Sequence, residues 1–509
     1  KPFDPALFAG KDNFPKLDAN VSFAKKPSVD AVNANIKKPA FLNDITNYHN
    51  RGDSIWSGTS VTQGDFVGLD DIFTEKPAVV KGMVDLWSSW ITRFDIDGYR
   101  IDTAKHVNPE FWKAFLPKII ATAKSAGKEN FPIFGEVADS DIPFLASFVT
   151  EQNFPGVLDF PFQSKVSRFA KAGGGASDVA DLFNTDDFYT SPTTSAYSLA
   201  TFLGNHDMGR IGHFIEILSG SDGPQIMLER AKLANALLFT LRGGPVLYYG
   251  DEKGMTGSGG DQLARQDMFS TQVEDWKTEV RIGSAQIGNA SAFDVKNSLE
   301  ANVAELQALY KKYPALKSGA QQVRFGLGSV FAVSRYADNQ EFLIAFNSND
   351  ETQEATIPVS TKDSGWSAIS GSAKVIINSS SLNLKLEPRS WVVLKADKAF
   401  EPSSRLAITL NAPKPDYRTP GWSAITAKIP GDDFVQVTFA ARQSGKAWKV
   451  LGTSDHRTTK DDYIAAGLHR VFIHNRQYKS GTTFDLVAIV TNSKGEKMVS
   501  KVIKYTIKY

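Results

Sequence analysis

The sequence predicts a multidomain protein in which an α/β portion is followed by all-β domains. Two observations predict this fold class. From residue 76 to residue 318, amphipathic helix patterns alternate with short apolar strands, as in a parallel sheet covered by helices. From residue 319 onward, short alternating strands are separated by turns, as in β-sandwiches. The alternation in the first portion leaves two architectures open, a barrel and a doubly wound sheet.

Each region has its own sequence texture. Residues 1–75 are rich in Asn, Asp, Gly and Pro, which predicts a long irregular excursion. In residues 76–318, helix patterns precede strands three times: KGMVDLWSSWITRF before DGYRID, FWKAFLPKIIATAKSAG before FPIFGEV, and IMLERAKLANALLFTLRGG before PVLYYGDE. Residues 319–397 predict one β-sandwich, and residues 398–509 predict a second, immunoglobulin-like or fibronectin-like one. Trp422 and Trp448 could belong to its core or form sugar-binding platforms, and we expect core.

Composition excludes several classes of partner. The 509 residues carry a formal net charge of +1, and no segment concentrates Lys or Arg. This pattern argues against nucleic acid or an anionic membrane surface as a partner, so we expect a neutral or small one. Cysteine is absent, which excludes disulfides and thiol chemistry. No apolar run reaches the roughly 18 residues that a membrane-spanning helix needs, so we expect no such helix.

Three predicted strands end in an acid: GYRID in Asp102, PIFGE in Glu136 and FLGNHD in Asp207. In a parallel barrel the carboxyl ends of all strands open on one face, so we expect the three acids to converge. A glycosidase needs one ionised carboxylate and one protonated carboxyl group. Arg100 shares a strand face with Asp102, and its charge would keep that acid ionised. The apolar residues before Glu136 predict a raised pKa for its carboxyl group.

Each feature also has a purely structural interpretation. An acid at a strand end can be a helix cap, Arg100 and Asp102 can form a structural ion pair, and His206 can be an ordinary hydrogen-bonded histidine. Three acids in order, each at a strand end, favour an active site.

The segments GYRIDTAKHV, FGEV and FLGNHD resemble three signatures of the α-amylase family of glycoside hydrolases, found at barrel strands four, five and seven. The resemblance implies a (β/α)8 TIM-barrel catalytic domain, of which strands four to eight lie in this chain. It implies Asp102 as nucleophile and Glu136 as general acid and base. It also implies that Asp207 holds sugar hydroxyls and favours the distorted transition state, that Arg100 orients the nucleophile, and that His206 binds the sugar in the cleaved subsite.

Further residues match the family more locally. Lys105 and His106 match a pair that faces the leaving-group side, and the resemblance implies that the His106 carbonyl binds a structural Ca²⁺ ion. LDDIF resembles the family's short fifth segment, which implies Asp71 as a calcium ligand; a solvated turn acid is the alternative. GDQLAR resembles a loop whose Asp and Arg contact sugars further from the cut. These residues would be Asp261 and Arg265, and pairing with each other is the alternative.

The resemblance also assigns the domains and reveals a departure. Residues 1–75 would be part of the inserted, calcium-associated domain B, residues 76–318 the C-terminal portion of the barrel, and residues 319–397 domain C. The family's first signature, an Asp followed by Asn-His, is missing, because DAVNAN at residues 30–35 lacks the His. We therefore expect the first barrel strands on a preceding segment of a longer polypeptide or on a separate chain.

The resemblance implies a retaining, endo-acting hydrolase of α-1,4 bonds in α-glucan polysaccharides or malto-oligosaccharides, with a structural Ca²⁺ ion and a secreted or periplasmic location. Two alternatives stay open. One is a glucanotransferase, or a pullulan or cyclodextrin hydrolase, on the same scaffold. The other is a catalytically silent carbohydrate-binding fragment.

Overall fold

The structure is a computed structural model that describes residues 29–257, 259–402, 405–415, 420–460 and 465–508. Residues 1–28 of the predicted irregular excursion lie outside this description. The chain divides into two compact units, Lys1–Leu158 and Asp159–Tyr509. Their boundary falls inside the region 76–318 that the sequence presents as a single α/β portion. Within the described ranges, no helix has both the length and the apolar character needed to cross a bilayer.

The first unit begins, within its described part, with irregular chain and short 3₁₀ turns, followed by alternating helices and strands. Its helices are α1 Ser60–Gln63, α2 Pro77–Phe94, α3 Pro109–Ser125 and α4 Ile142–Thr150. Its strands are β1 Tyr99–Ile101, β2 Ile133–Gly135 and β3 Gly156–Val157. The predicted helix before DGYRID is confirmed as α2. It starts with Pro77 in its first turn and ends at Phe94, and the next residue, Asp95, adopts a left-handed conformation.

Strands β1, β2 and β3 form a parallel sheet in sequence order. In its register Ile101 lies opposite Gly135, so Asp102 and Glu136 directly follow the carboxyl ends of adjacent strands. Gly135 is required here, because a Cβ atom at this position would lie 2.8 Å from the ring of Phe154. The pairing of β1 with β2 therefore places the two predicted catalytic carboxylates next to each other.

The second unit opens with helices and two short strands. Its helices are α5 Phe160–Ala172, α6 Ala176–Phe183, α7 Ile211–Ser219, α8 Pro224–Thr240, α9 Glu274–Thr278, α10 Ser298–Lys312 and α11 Pro314–Ser318. The strands are β4 Ala200–Thr201 and β5 Gly244–Pro245, which pair in parallel. Both are shorter than the sequence predicts. After β4 the side chain of Asn205 accepts hydrogen bonds from the backbone N–H groups of Asp207 and Met208, which turns the chain out of the ladder.

A two-sheet sandwich follows α11. One sheet has the order β10-β13-β8-β7-β6 and the other β11-β12-β9. The strands are β6 Ala320–Leu327, β7 Val330–Ala337, β8 Gln340–Asn347, β9 Gln353–Pro358, β10 Trp366–Gly371, β11 Lys374–Ile377, β12 Ser381–Leu386 and β13 Ser390–Ala396. Buried apolar side chains from both sheets, such as Leu343 and Leu382, share one core.

A second sandwich completes the chain. Its strands are β14 Thr409–Leu410, β15 Lys414–Pro415, β16 Trp422–Lys428, β17 Val435–Arg442, β18 Lys449–Ser454, β19 Leu468–His474, β20 Thr483–Asn492, β21 Lys497–Val499 and β22 Ile503–Thr506. Its core joins residues of β16, β17, β19 and β20. Trp422 is half-buried and stacks on His474. The core prediction for Trp448 is wrong: its side chain is 38% exposed, beside Arg442 at the end of the β17–β18 hairpin.

Candidate active site

One guanidinium group joins the first two predicted catalytic acids. Arg100 Nη1 lies 2.5 Å from Asp102 Oδ1, and Arg100 Nη2 lies 3.4 Å from Glu136 Oε2. The carboxylate of Glu136 also accepts a hydrogen bond from the backbone N–H of Thr103 at 3.0 Å. Arg100 reaches both acids because the parallel register of β1 and β2 places Asp102 and Glu136 side by side. The contact with Asp102 confirms the predicted pairing of Arg100 with Asp102.

The two carboxylates have different environments. The side chain of Asp102 is 63% exposed, whereas that of Glu136 is 13% exposed. Burial raises the pKa of Glu136 above its usual value, although Thr103 and Arg100 oppose the rise, and the nearby Asp102 adds to it. The predicted direction for Glu136 is therefore confirmed. The pair thus places an exposed carboxylate beside a largely buried carboxyl group with a raised pKa.

The predicted leaving-group residues follow the pair in a 3₁₀ turn, Ala104–His106. Lys105 Nζ donates a hydrogen bond to the backbone oxygen of Ala138. The imidazole of His106 bonds to the backbone oxygen of Val61 and contacts the rings of Trp56 and Phe66 edge to face. Burial lowers the pKa of His106 below its usual value, although the hydrogen bond to Val61 opposes the shift.

The side chains around Asp71 give no independent support for a calcium ion. Its carboxylate lies 2.7 Å from Nδ1 of the buried His49, whose Nε2 lies 2.9 Å from Glu75. Burial raises the pKa of Asp71 to about 6, although His49 opposes the rise. Among the described residues, no group of three or more His, Cys, Asp or Glu side chains could hold a metal ion. His49 was not predicted, because no local pattern links it to an acid 22 positions away.

The third predicted acid lies in the second unit, with the other residues predicted beside it. His206 Nε2 lies 3.2 Å from Asp207 Oδ2, and Arg265 Nη2 lies 3.4 Å from Asp207 Oδ1. The same guanidinium lies 3.1 Å from Asp261 Oδ1. Asp261 and Arg265 therefore pair with each other, which was the alternative to their contacting sugars. Arg265 also contacts Asp207. The convergence of all three acids stays a prediction.

Sequence reasoning missed two buried residues behind this group. The side chain of Arg210, three positions after Asp207, is fully buried and donates a hydrogen bond to the side-chain oxygen of Gln266, which follows Arg265. The spacing after FLGNHD offered a signal, since an arginine so close to a predicted catalytic acid has to find buried partners or solvent. Its partner 56 residues away could not be read from the sequence.

These features define a class: a β/α protein with carboxylates at the carboxyl ends of parallel strands, followed by antiparallel β-domains. The model of the α-amylase catalytic domain matches residues 23–285, which is just over half of the chain. The chain belongs to the α-amylase family. Its predicted fold class, a TIM-barrel catalytic domain followed by C-terminal antiparallel sheets, is confirmed.

Individual relatives agree with this assignment. An α-amylase of Streptomyces lividans is 37% identical over 503 residues, which is 97% of this chain and 53% of that protein. A cyclomaltodextrinase of Geobacillus thermopakistaniensis is 28% identical over 57% of this chain and 43% of its own length. The chain thus spans about half the length of these curated relatives. The crystal structure of Geobacillus thermoleovorans α-amylase complexed with acarbose superposes with a TM-score of 0.57 at 25% identity, covering 70% of this chain and 74% of that one.

Proposed function

We propose that this protein hydrolyses α-1,4 bonds of starch-like α-glucans with retention of configuration, as an endo-acting enzyme. The observation that carries the proposal is the single guanidinium of Arg100 in contact with both Asp102 and Glu136. One arginine holds the two carboxyl groups close together, which fits the separation of about 5 Å in retaining glycosidases better than the wider spacing of inverting ones. Family membership supports the substrate class.

In the proposed first step, Glu136 donates its proton to the glycosidic oxygen as the bond to the anomeric carbon breaks. The carboxylate of Asp102 attacks that carbon and forms a covalent glycosyl ester. In the second step, the Glu136 carboxylate takes a proton from a water molecule, which displaces Asp102. The raised pKa of Glu136 suits the first step, because it keeps the proton available at a higher pH.

The remaining residues have supporting roles in this proposal. Asp207 would accept hydrogen bonds from sugar hydroxyls and favour the distorted ring, and His206 would bind the same sugar. Asp261 and Arg265 would contact sugars further from the cut. Lys105 and His106 would face the leaving group, which the position of their 3₁₀ turn directly after Asp102 supports.

The proposal is tested by replacing the nucleophile. The purified chain should release reducing sugar from maltoheptaose, and Asp102→Asn should abolish this release because an amide cannot form the glycosyl ester. Asp85→Asn is the matched control, since Asp85 is as exposed as Asp102 but lies on α2 and pairs with Lys81. Near-normal turnover by Asp102→Asn would exclude the assignment.

A second candidate function is transfer of the glycosyl group to another sugar, or hydrolysis of cyclic substrates. The cyclomaltodextrinase relative supports it. Water and a sugar hydroxyl compete for the same covalent intermediate, so product lengths distinguish the outcomes. Hydrolysis of maltoheptaose gives only shorter products, whereas transfer also gives longer ones. Binding of maltoheptaose with no turnover would instead indicate a carbohydrate-binding fragment.

A structural Ca²⁺ ion and a secreted or periplasmic location rest on the resemblance alone and are proposed on that ground. Asp71 and the backbone carbonyl of His106 would hold the ion. Its chemistry would be structural, joining the segments that carry these two residues. Chelation with EDTA should then lower the melting temperature, and added Ca²⁺ should restore it.

A further inference from the structure

Residues 259–266, named here the glycine loop, pack their backbone against the turn that carries Asp207. The N–H of Asp261 donates a hydrogen bond to the backbone oxygen of Asp207 at 3.2 Å. A Cβ atom on Gly260 would overlap that same oxygen. On the other side, Gly209 has φ of +102°, and a Cβ there would lie 3.0 Å from the backbone oxygen of Gly259. This approach is only possible with glycine at these positions.

A buried arginine ties the two ends of this contact together. Arg210 follows Asp207 by three residues, and its Nε donates a hydrogen bond to Oε1 of Gln266 at 2.7 Å. Its Nη1 bonds to the backbone oxygen of Tyr249 and to Asp251 Oδ1. The guanidinium also lies over the ring of Tyr248, 4.3 Å from its centroid. Because Arg210 is fully buried and planar, its partners are held in one geometry.

Gln266 makes two further hydrogen bonds. Its Nε2 donates to Glu279 Oε2 at 2.9 Å, and its backbone oxygen accepts from the hydroxyl of Tyr249 at 2.9 Å. The neighbouring backbone oxygen of Ala264 accepts from Tyr248. The residue between these anchors is Arg265, whose side chain is 47% exposed and reaches Asp207 and Asp261. The anchors therefore hold the backbone on both sides of an exposed arginine.

We propose that Gly260, through its contact with the backbone of Asp207, and Gln266, through its hydrogen bond with Arg210, are positioning residues. They hold Arg265 and the carboxylate of Asp207 in the geometry needed for turnover. This inference rests on the proposed function and adds to it a second layer of residues that touch no substrate. The backbone contact with Asp207 holds the glycine loop in place, and the glycine loop positions the side chain of Arg265. A displacement of about 1 Å in a catalytic group can lower the reaction rate by about 10²-fold. Loss of one of these contacts should therefore lower kcat.

Two variants and two matched controls test the proposal. Gly260→Ala forces the loop away from Asp207, and Gln266→Leu removes the buried hydrogen bonds while keeping similar volume. Gly174→Ala is the first control, because a Cβ there meets nothing within 4 Å. Gln321→Leu is the second, because this buried glutamine also accepts a hydrogen bond from an arginine, the backbone N–H of Arg242.

We expect kcat on maltoheptaose to fall about tenfold or more in both loop variants, with KM within about threefold of the parent. Both controls should keep the parent kcat, although Gln321→Leu also removes a buried hydrogen bond. An unchanged kcat in either folded loop variant would overturn the inference. So would an equal loss of kcat in Gln321→Leu, because that result would indicate a general effect of destabilisation.

The failure of this inference differs from the failure of the proposed function. If the parent chain turns over maltoheptaose and the loop variants do so equally well, only the positioning inference fails. If the parent neither turns over maltoheptaose nor binds acarbose by calorimetry, both fail. Should one loop variant not fold, the kcat of the other variant decides between these outcomes.

Discussion

Arg100 and Arg242 each contact two carboxylates, yet their surroundings differ. Arg100 contacts Asp102 and Glu136, and its side chain is 32% exposed. Arg242 contacts Asp159 at 2.5 Å and Asp186 at 2.6 Å, and its side chain is 1% exposed. The guanidinium of Arg100 therefore lies at the open ends of parallel strands, and that of Arg242 lies in the interior.

Burial decides what each cluster can do. Burial disfavours the charge of Arg242, but Asp186 and Asp159 hold its pKa above the usual value, so it stays charged and fixed. Removing one member of such a group leaves uncompensated buried charges. Around Arg100 solvent screens the ion pair, which makes it weak as a source of stability and leaves the Asp102 oxygens accessible to a substrate. Exposure, and not composition, therefore separates the cluster that we propose to be catalytic from the buried one.

The strongest change is expected in the exposed cluster. Glu136→Gln should lower turnover of maltoheptaose by about 10⁴-fold, because the amide has no proton to donate to the leaving oxygen. A substrate with a leaving group that needs no protonation, such as a maltosyl fluoride, should still form the glycosyl ester with Asp102. Mass spectrometry of the intact chain would detect it. Equal losses on both substrates would contradict the role of Glu136 as the acid.

The next effect tests the buried cluster. Arg242→Met should lower the free energy of unfolding by about 3–5 kcal/mol, because Asp159 and Asp186 lose their shared partner in the interior. Urea unfolding followed by tryptophan fluorescence measures the loss. The activity of the remaining folded molecules should equal that of the parent. A change below about 1 kcal/mol would show that the cluster behaves like a surface ion pair.

The same substitution at the other arginine should give the opposite pattern. Arg100→Met should change the free energy of unfolding by at most about 1 kcal/mol, yet lower kcat/KM by about 10²-fold through loss of carboxylate orientation. The positive charge of Arg100 lowers the pKa of Glu136. Its removal should therefore raise that pKa and move the alkaline limb of the pH profile of kcat/KM to higher pH. An alkaline limb at the same pH in the variant and the parent would show that Arg100 does not influence the pKa of Glu136.

The weakest effect is expected at a histidine beside the buried cluster. Burial lowers the pKa of His456, but Asp187 and Asp455 raise it to a net value of about 9. Its folded pKa thus exceeds the unfolded value of 6.5, so its stabilisation is complete below about pH 6.5 and is lost as pH rises through about 9. Between about pH 7 and 9 the loss should be about 2 kcal/mol.

This pH dependence is measured by urea unfolding at several pH values. His456→Gln serves as the comparison, because it cannot carry the charge and should remove most of the slope. An identical slope in the variant would assign the pH dependence to another group. Activity measured at saturating substrate is an additional control, since His456 lies outside the proposed catalytic residues.

Part of the fold and the site could be predicted from local sequence patterns. Helical spacing predicted α2, and the period of two along a strand predicted the pairing of Arg100 with Asp102. The apolar strand before Glu136 predicted the direction of its pKa. Strand β4 is shorter than its apolar pattern predicts, because Asn205 turns the chain through a side-chain contact that apolar patterning does not reveal.

Other features depended on residues far apart in the chain. Trp448 looked like a core residue, but the register of β17 and β18 places it at the exposed end of a hairpin. The bond from Arg210 to Gln266 and the contact of Gly260 with Asp207 join segments more than 50 residues apart. No periodicity links such positions, so their contacts could not be predicted.

Local sequence patterns identify which acids end predicted strands and which arginine lies on the same face as the first of them. The strand period is a local rule that places Arg100 and Asp102 on one face, whereas the parallel pairing of β1 with β2 across helix α3 brings Asp102 and Glu136 to neighbouring positions. Tertiary packing alone makes the cluster around Arg100 open and the cluster around Arg242 closed. Solvent exposure is a property of all the chain packed around a group, and it sets whether a carboxylate stabilises the fold or remains available for chemistry.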